Sequence, residues 1–179
     1  MKMSLATLVL AGALLGGSAA AQLPQAYEVP PGELAPDDVH FLRAADAANM
    51  DQLMLGNRAA SRARHPGVHS LADNIVSSHR EADDALRLLA SRKNVDLEHR
   101  NSEHGQREAD ELLDRNTALD DEYVHDVVRD YDAIIAMYED ARANSEDADI
   151  RRYADIMLEK LHDNQRQATD LLERTADSH

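Results

Sequence analysis

The chain has 179 residues, a formal net charge of −15 and no cysteine. This length suits one domain with a sizeable hydrophobic core, and without cysteine neither disulfides nor thiolate metal sites can form. The negative charge repels phosphate backbones, so nucleic acid is not expected as a partner. Aromatic residues make up only 3% of the chain, which argues against a sugar-binding groove or a base-stacking surface.

The first 21 residues have the pattern of a signal peptide. Lys2 precedes an apolar run over residues 5–21 that ends in an A-x-A cleavage pattern, so cleavage is expected between Ala21 and Gln22. The run is too short to predict a transmembrane helix, although a retained N-terminal anchor is the alternative. No cysteine follows it, which excludes a lipoprotein. The mature chain is therefore expected to be periplasmic or secreted, with no membrane span.

Residues 22–36 contain four prolines and are expected to form an extended leader before a single domain over residues 37–176. Asp37 and Asp38 offer N-cap chemistry for a first helix. Its inward-facing positions alternate in steps of four and three, as in a helix packed against other helices. These positions are Phe41, Ala45, Ala48, Gln52, Leu55 and Ala59.

A second helix is predicted to follow at once and to run to about Lys93. The sequence His65-Pro66-Gly67 separates the two helices, and so short a link predicts an antiparallel hairpin. The second helix has the same four–three spacing, with one position that is not apolar, His79. The spacing covers Val68, Ala72, Ile75, His79, Ala82, Leu86 and Leu89.

Residues 94–116 are dense in charge and read as a connector with one short helix, Gln106 to Arg115. Thr117 is expected to cap a third helix, with Asp120 in the capping-box position. A turn at residues 144–147 separates the third helix from a fourth. Their inward-facing positions are Val124, Val127, Tyr131, Ile134, Tyr138 and Ala141, then Ile150, Ala154, Met157, Leu161, Asn164, Ala168 and Leu171.

The connector determines the expected topology. A simple up-down-up-down bundle needs only a few residues at this point, whereas over twenty residues can run the whole length of a helix pair. No segment alternates as a strand does. The prediction is an all-α, ferritin-like four-helix bundle with a long crossover between helices 2 and 3 that contains a short extra helix.

Each of the four helices carries one polar residue near the middle of its inward face: Gln52, His79, Tyr131 and Asn164. We expect them to form a buried polar layer whose members hydrogen-bond to one another. The layer has one imidazole and no carboxylate, whereas a di-iron site needs several carboxylates. The alternative is a bound iron, manganese, zinc or copper ion, for which His79 is the only candidate ligand. Asp51 or Asp130 could supply a carboxylate if a helix rotates by one position.

Two further pairs, Glu122 with His125 and Glu159 with His162, match the Glu-x-x-His spacing of di-iron helices. Both pairs fall at outward positions, so they are interpreted as surface pairs. The motifs G-x-S-x-G, G-x-G-x-x-G, His-Glu-x-x-His and the P-loop are missing from the sequence. No catalytic residue is therefore predicted.

Four segments carry a family resemblance: QLMLG at 52–56, IVSSH at 75–79, LDDEY at 119–123 followed by Tyr131, and LEKLHDN at 158–164. Over roughly residues 37–172 the chain resembles the bacterial domain-of-unknown-function 4142 family. The resemblance implies an exported protein with a ferritin-like helical bundle. It brings no established activity.

The departures from the family pattern bear on function. Where that pattern has Glu, His, His and His, this chain has Gln52, His79, Tyr131 and Asn164. If the family's layer binds metal, the resemblance implies a member that has lost most of the ligands. The predicted function is a non-catalytic exported bundle of structural or interaction type, in an envelope or stress-related role. The alternative is a metal-binding or redox ferritin-like protein that uses His79.

Overall fold

The computed structural model describes residues 33–114 and 119–176, and within them every regular element is a helix. There are five: α1 (Pro36–Arg62), α2 (Pro66–Arg92), α3 (Glu103–Asp114), α4 (Leu119–Asn144) and α5 (Ala148–Ala176). The predicted all-α class is confirmed. The predicted signal peptide, residues 22–32 of the leader and the Thr117 cap lie outside the described residues. No described helix has the length and apolar character that crossing a membrane requires.

Helix α1 begins at Pro36, before the two aspartates that were predicted to cap it. Pro36 occupies its first turn, where the fixed φ of proline suits a helix and its missing N–H costs nothing. The cap position is Ala35, which forms no side-chain cap, so the prediction that Asp37 and Asp38 cap this helix was wrong. Both aspartates instead lie in the first turn, where negative charge interacts favourably with the helix dipole.

The predicted break after α1 is present, and α2 begins at Pro66. His65 is the N-cap, and its Nδ1 accepts a hydrogen bond from the Gly67 N–H at 3.1 Å. The carboxylate of Asp120, in the first turn of α4, accepts the backbone N–H groups of Arg64 (3.1 Å) and His65 (2.8 Å). The start of α4 therefore lies against the link between α1 and α2.

Helices α4 and α5 are joined by a short turn in which Asp147 caps α5. Its Oδ1 accepts the N–H groups of Asp149 at 2.9 Å and Ile150 at 3.2 Å. Its Oδ2 lies 2.5 Å from Nζ of Lys93, just after α2. Farther along, Asn164 donates to Ser78 at 2.8 Å. Because higher numbers on α5 meet lower numbers on α2, these two helices are antiparallel.

The connector runs beside α1 in the direction of that helix. The His99 N–H donates to Asp46 and the Ser102 N–H donates to Asp51, each at 2.8 Å. Farther along, Asp110 approaches Arg58 at 3.8 Å. The connector thus leads from the C-terminal end of α2 to the C-terminal end of α1, and α4 begins there.

The short helix of the connector was predicted too late in the chain. Helix α3 spans Glu103–Asp114 rather than Gln106 to Arg115. Ser102 precedes it, and the Ser102 hydroxyl accepts the Gly105 N–H at 2.9 Å, which is an N-cap bond. The prediction missed this serine as a helix start.

The core lies between the four long helices and includes a group of aromatic rings. Phe41 packs edge-on against Tyr138, with ring centroids 5.2 Å apart, and Tyr153 packs beside both. On α4, Ile135 is buried and Ile134 is only partly buried, which reverses the prediction. Tyr138 and Ala141, farther along α4, are buried as predicted, so the difference is local. With 3.6 residues per turn, a position four residues after Tyr131 can face inward as well as one three residues after it.

Candidate functional site

His79 lies in the middle of α2 and is 1% exposed. Its Nδ1 lies 2.9 Å from Oδ1 of Asn49 on α1, and its Nε2 lies 2.9 Å from the Tyr131 hydroxyl on α4. An amide oxygen can only accept, so Nδ1 carries the proton and donates to Asn49. Nε2 then accepts from Tyr131. Both nitrogens of this imidazole are therefore engaged.

The same network continues to α5. Asn164 Nδ2 donates to the Tyr131 hydroxyl at 3.3 Å and to the Ser78 hydroxyl at 2.8 Å. The Ser78 hydroxyl in turn donates to the backbone carbonyl of Ile75 at 3.0 Å. An amide NH₂ group has two hydrogens, and these two acceptors use both. The network therefore ends on a backbone carbonyl, and each of these donors has an acceptor.

Gln52 is buried, at 3% exposed, but forms none of the hydrogen bonds of this network. Its Oε1 accepts no hydrogen bond from any described residue. Asn49, one turn earlier on α1, bonds to His79 instead. The predicted layer placed Gln52 on α1, three residues after the residue that forms this bond. Asn49 follows Ala45 by four residues and precedes Gln52 by three, so the same spacing rule could have found it.

The layer formed by Asn49, His79, Tyr131 and Asn164 is electrically neutral. Burial lowers the pKa of His79 to about 4, so the imidazole is uncharged at neutral pH. Burial also raises the pKa of Tyr131 far above its usual value. No carboxylate forms a hydrogen bond to these four side chains among the described residues.

Asp51 and Asp130, which were considered as additional metal ligands, form hydrogen bonds outside the layer. Asp51 accepts hydrogen bonds from the connector at Ser102, and Asp130 accepts one from Arg129 at 3.0 Å. The Glu-x-x-His pairs do not form a site in the described part of the chain. His125 and Glu159 are exposed, while Glu122 and His162 are partly buried.

A second polar group lies one helical turn from this layer, formed by Asp46, Asp83 and His99. Asp46 precedes Asn49 by three residues on α1, and Asp83 follows His79 by four on α2. Because the helices are antiparallel, both steps lead toward the same end of the pair. Sequence reasoning missed this group. The sequence did offer one indication that the two aspartates are buried, since Asp46 directly follows the inward-facing Ala45 and Asp83 directly follows the inward-facing Ala82.

The comparisons with known proteins identify a family. A family model described as "Domain of unknown function (DUF4142)" matches residues 23–171. No curated protein and no solved structure matches the chain. The family match spans most of the 179 residues and confirms the resemblance seen in the sequence. The chain therefore belongs to the DUF4142 family.

Proposed function

We propose that this protein is an exported, non-catalytic, ferritin-like four-helix bundle in which the buried polar layer stabilises the fold and binds no metal. Its role is structural or interaction-type, within the cell envelope. One observation carries the proposal. Both ring nitrogens of His79 are engaged by neutral partners, Asn49 and Tyr131, at 2.9 Å.

The bundle assignment is supported by the contacts between the long helices. Helix α1 packs on α2 and α4, and α5 packs on the same two helices. Asp120 of α4 lies beside Arg64 after α1 and Tyr138 lies beside Phe41 near the start of α1, so these two helices are antiparallel, as α2 and α5 are. A long crossover beside α1 is the connection that a ferritin-like bundle uses.

The structural role of the layer is supported by its hydrogen bonding. A buried polar group left without a partner costs about 1–3 kcal/mol, so the hydrogen bonds that join Asn49, His79, Tyr131 and Asn164 favour one arrangement of the four helices. A metal ion at His79 would have to displace Asn49 or Tyr131 from the imidazole. It would then gain a single nitrogen ligand and no anionic oxygen, which is a poor site for iron, manganese or zinc.

The role of the layer can be tested with His79→Gln, using His125→Gln on the exposed face of α4 as the control. Each untagged protein is equilibrated with iron, manganese, zinc or copper, and bound metal and melting temperature are measured. We expect His79→Gln to lower the melting temperature and to leave the bound metal as in the wild type. Loss of one stoichiometric ion in a folded His79→Gln protein would instead establish the metal-binding or redox alternative.

Export can be tested separately by expressing the full chain in a Gram-negative host. We expect a periplasmic protein whose intact mass corresponds to a chain that starts at Gln22. The control replaces Ala19 and Ala21 with bulky residues, which should block cleavage. An uncleaved wild-type protein in the cytoplasm would refute this part of the proposal.

A further inference from the structure

Asp46, Asp83 and His99 come from three different segments and converge on one point. They lie on α1, on α2 and in the connector that follows α2. One ligand atom from each residue lies within 4.8 Å of the other two. The His99 Nδ1 is 2.8 Å from Asp46 Oδ1 and 3.9 Å from Asp83 Oδ1. Two carboxylates and one imidazole are thus presented to a shared space.

Both carboxylates are buried but incompletely satisfied. Asp46 is 2% exposed and Asp83 is 8% exposed. Neither Oδ1 accepts a hydrogen bond of standard geometry from the described residues, and the group that approaches both is the His99 imidazole, whose Nδ1 forms a close ion-pair contact with Asp46 and a distant one with Asp83. A buried anionic oxygen without a partner is costly, and buried carboxylates in proteins are normally paired or bound to a metal. Asp83 Oδ1, whose nearest charged neighbour is His99 Nδ1 at 3.9 Å, therefore points to a cationic ligand beside the Asp46–His99 pair.

The other oxygen of each carboxylate is anchored. Asp46 Oδ2 accepts the backbone N–H of His99 at 2.8 Å, and Asp83 Oδ2 pairs with Arg87 Nε at 2.9 Å. Such contacts to the outer oxygen orient a metal ligand and fix which atom faces the ion. Two carboxylates against one guanidinium leave a net negative charge, which favours a cation.

An ion can reach this point from solvent. The His99 side chain is 34% exposed, so the site lies at the edge of the helix pair rather than in its core. A cavity of about 330 Å³ adjoins Asp46 and is lined by Arg43, Ala47, Glu98, Arg100, Asn101, Ser102 and Glu103.

We propose that Asp46, Asp83 and His99 bind one divalent cation of the zinc class. Zinc takes carboxylate oxygens and imidazole nitrogens at about 2.0–2.2 Å, so ligand atoms around it lie about 3.4 Å apart. Atoms that already lie within 4.8 Å of one another need only a small contraction to reach this spacing. Three protein ligands leave a coordination position for water.

This site goes beyond the proposed function, and its ligands are separate from the polar layer. Binding would join α1, α2 and the connector through one ion. The layer contributes none of the three ligands, because Asn49 and His79 lie one helical turn away from Asp46 and Asp83. Loss of zinc binding and loss of the layer can therefore be separated by mutation.

The test is calorimetric titration of the untagged, metal-stripped protein with zinc chloride. We expect one zinc ion per chain in the wild type, and an affinity weakened about tenfold or more in Asp83→Asn and His99→Ala. Asp84→Asn, a change of the exposed aspartate next to Asp83, should bind like the wild type. His79→Gln should also bind like the wild type, which separates this site from the layer.

Circular dichroism of each variant establishes that it is folded. His99→Ala changes a partly exposed connector residue, so it provides a folded variant even if Asp83→Asn does not fold. A wild-type protein that takes up no zinc at millimolar concentration would overturn the proposal. So would a folded His99→Ala that binds zinc as tightly as the wild type.

Discussion

Two histidines of this protein lie in opposite surroundings. His79 is enclosed by neutral partners in the core, and burial lowers its pKa to about 4. His99 is partly exposed, and its Nδ1 faces the carboxylates of Asp46 and Asp83. An imidazole therefore takes part in a hydrogen-bond network at His79 and, in our proposal, in a cation site at His99. The neighbouring groups decide which chemistry is available.

The two places differ by a single helical turn. On α1 the layer has an amide, Asn49, and the proposed cation site has a carboxylate, Asp46. On α2 the layer has an imidazole, His79, and the cation site has a carboxylate, Asp83. In the first pair, Asn49 Oδ1 and both ring nitrogens of His79 are hydrogen-bonded, and only Asn49 Nδ2 has no partner among the described residues. In the second pair, Asp46 Oδ1 forms an ion-pair contact with His99 at 2.8 Å, whereas Asp83 Oδ1 has no hydrogen bond from the described residues. Small changes of residue type along one helix pair therefore separate a structural layer from a site that can take a ligand.

The largest expected effect comes from His79→Ala. It leaves Asn49 and Tyr131 without their partner and opens a cavity, so unfolding free energy should fall by about 4 kcal/mol. That corresponds to a melting temperature lower by about 8–16 °C. His99→Ala in metal-free protein should cost less than about 1 kcal/mol, because that side chain is partly solvated. Equal losses in the two variants would contradict the contrast between the histidines.

The second prediction concerns pH. The pKa of His79 falls from 6.5 to about 4 on folding, so the unfolded chain binds more protons between these values. Unfolding free energy should therefore decrease as pH falls from 6.5 toward 4, by about 3 kcal/mol in total. Urea titrations of wild type and His79→Leu at several pH values measure it, and the pH dependence of their difference isolates His79.

Glu108 should act in the opposite direction in both proteins. Burial and the charge of Asp130 raise the pKa of Glu108 to about 7, so its contribution to stability is lost as pH rises through 7. Because this contribution is common to wild type and His79→Leu, it cancels in the difference. A flat difference between pH 4 and 6.5 would show that His79 is not held neutral in the core.

The third prediction compares two buried tyrosines on α4. Tyr131→Phe removes the hydroxyl that bonds to His79 and Asn164, and should cost about 1–3 kcal/mol. Tyr123 is equally buried, but its hydroxyl has no hydrogen-bond partner among the described residues. Tyr123→Phe should therefore be neutral or slightly stabilising. Thermal melts of both variants test this, and a reversed order would refute the proposed network.

The smallest expected effect is at the start of α3. A Cβ at Gly105 would clash with the Asp51 carboxylate, which must then move away from Ser102. Gly105→Ala should lower the unfolding free energy by about 1 kcal/mol once the gain in helix propensity is included. In an Asp51→Ala background the same change should be stabilising instead. A double-mutant cycle of unfolding free energies measures this, and additive effects would contradict the contact.

The sequence predicted the helices better than the site. Hydrophobic spacing located all four long helices, because that signal is local and repeats along each helix. Pairing of Asn49 with His79 depends on how tightly the link at residues 63–65 turns, and the predicted layer used Gln52, three residues farther along α1. The contact of His99 with Asp46 joins residues 53 apart in the chain. No periodic pattern reports such a contact.

The way the connector is held has a consequence for local unfolding. Its backbone is bonded to α1 through two carboxylates, Asp46 and Asp51, and these contacts are separate from those between the long helices. Such a segment can detach as its own cooperative unit below the free energy of global unfolding. Amide protons at His99 and Ser102 should accordingly exchange with solvent sooner than those in the middle of α2. A protease should make its first cut within the same segment.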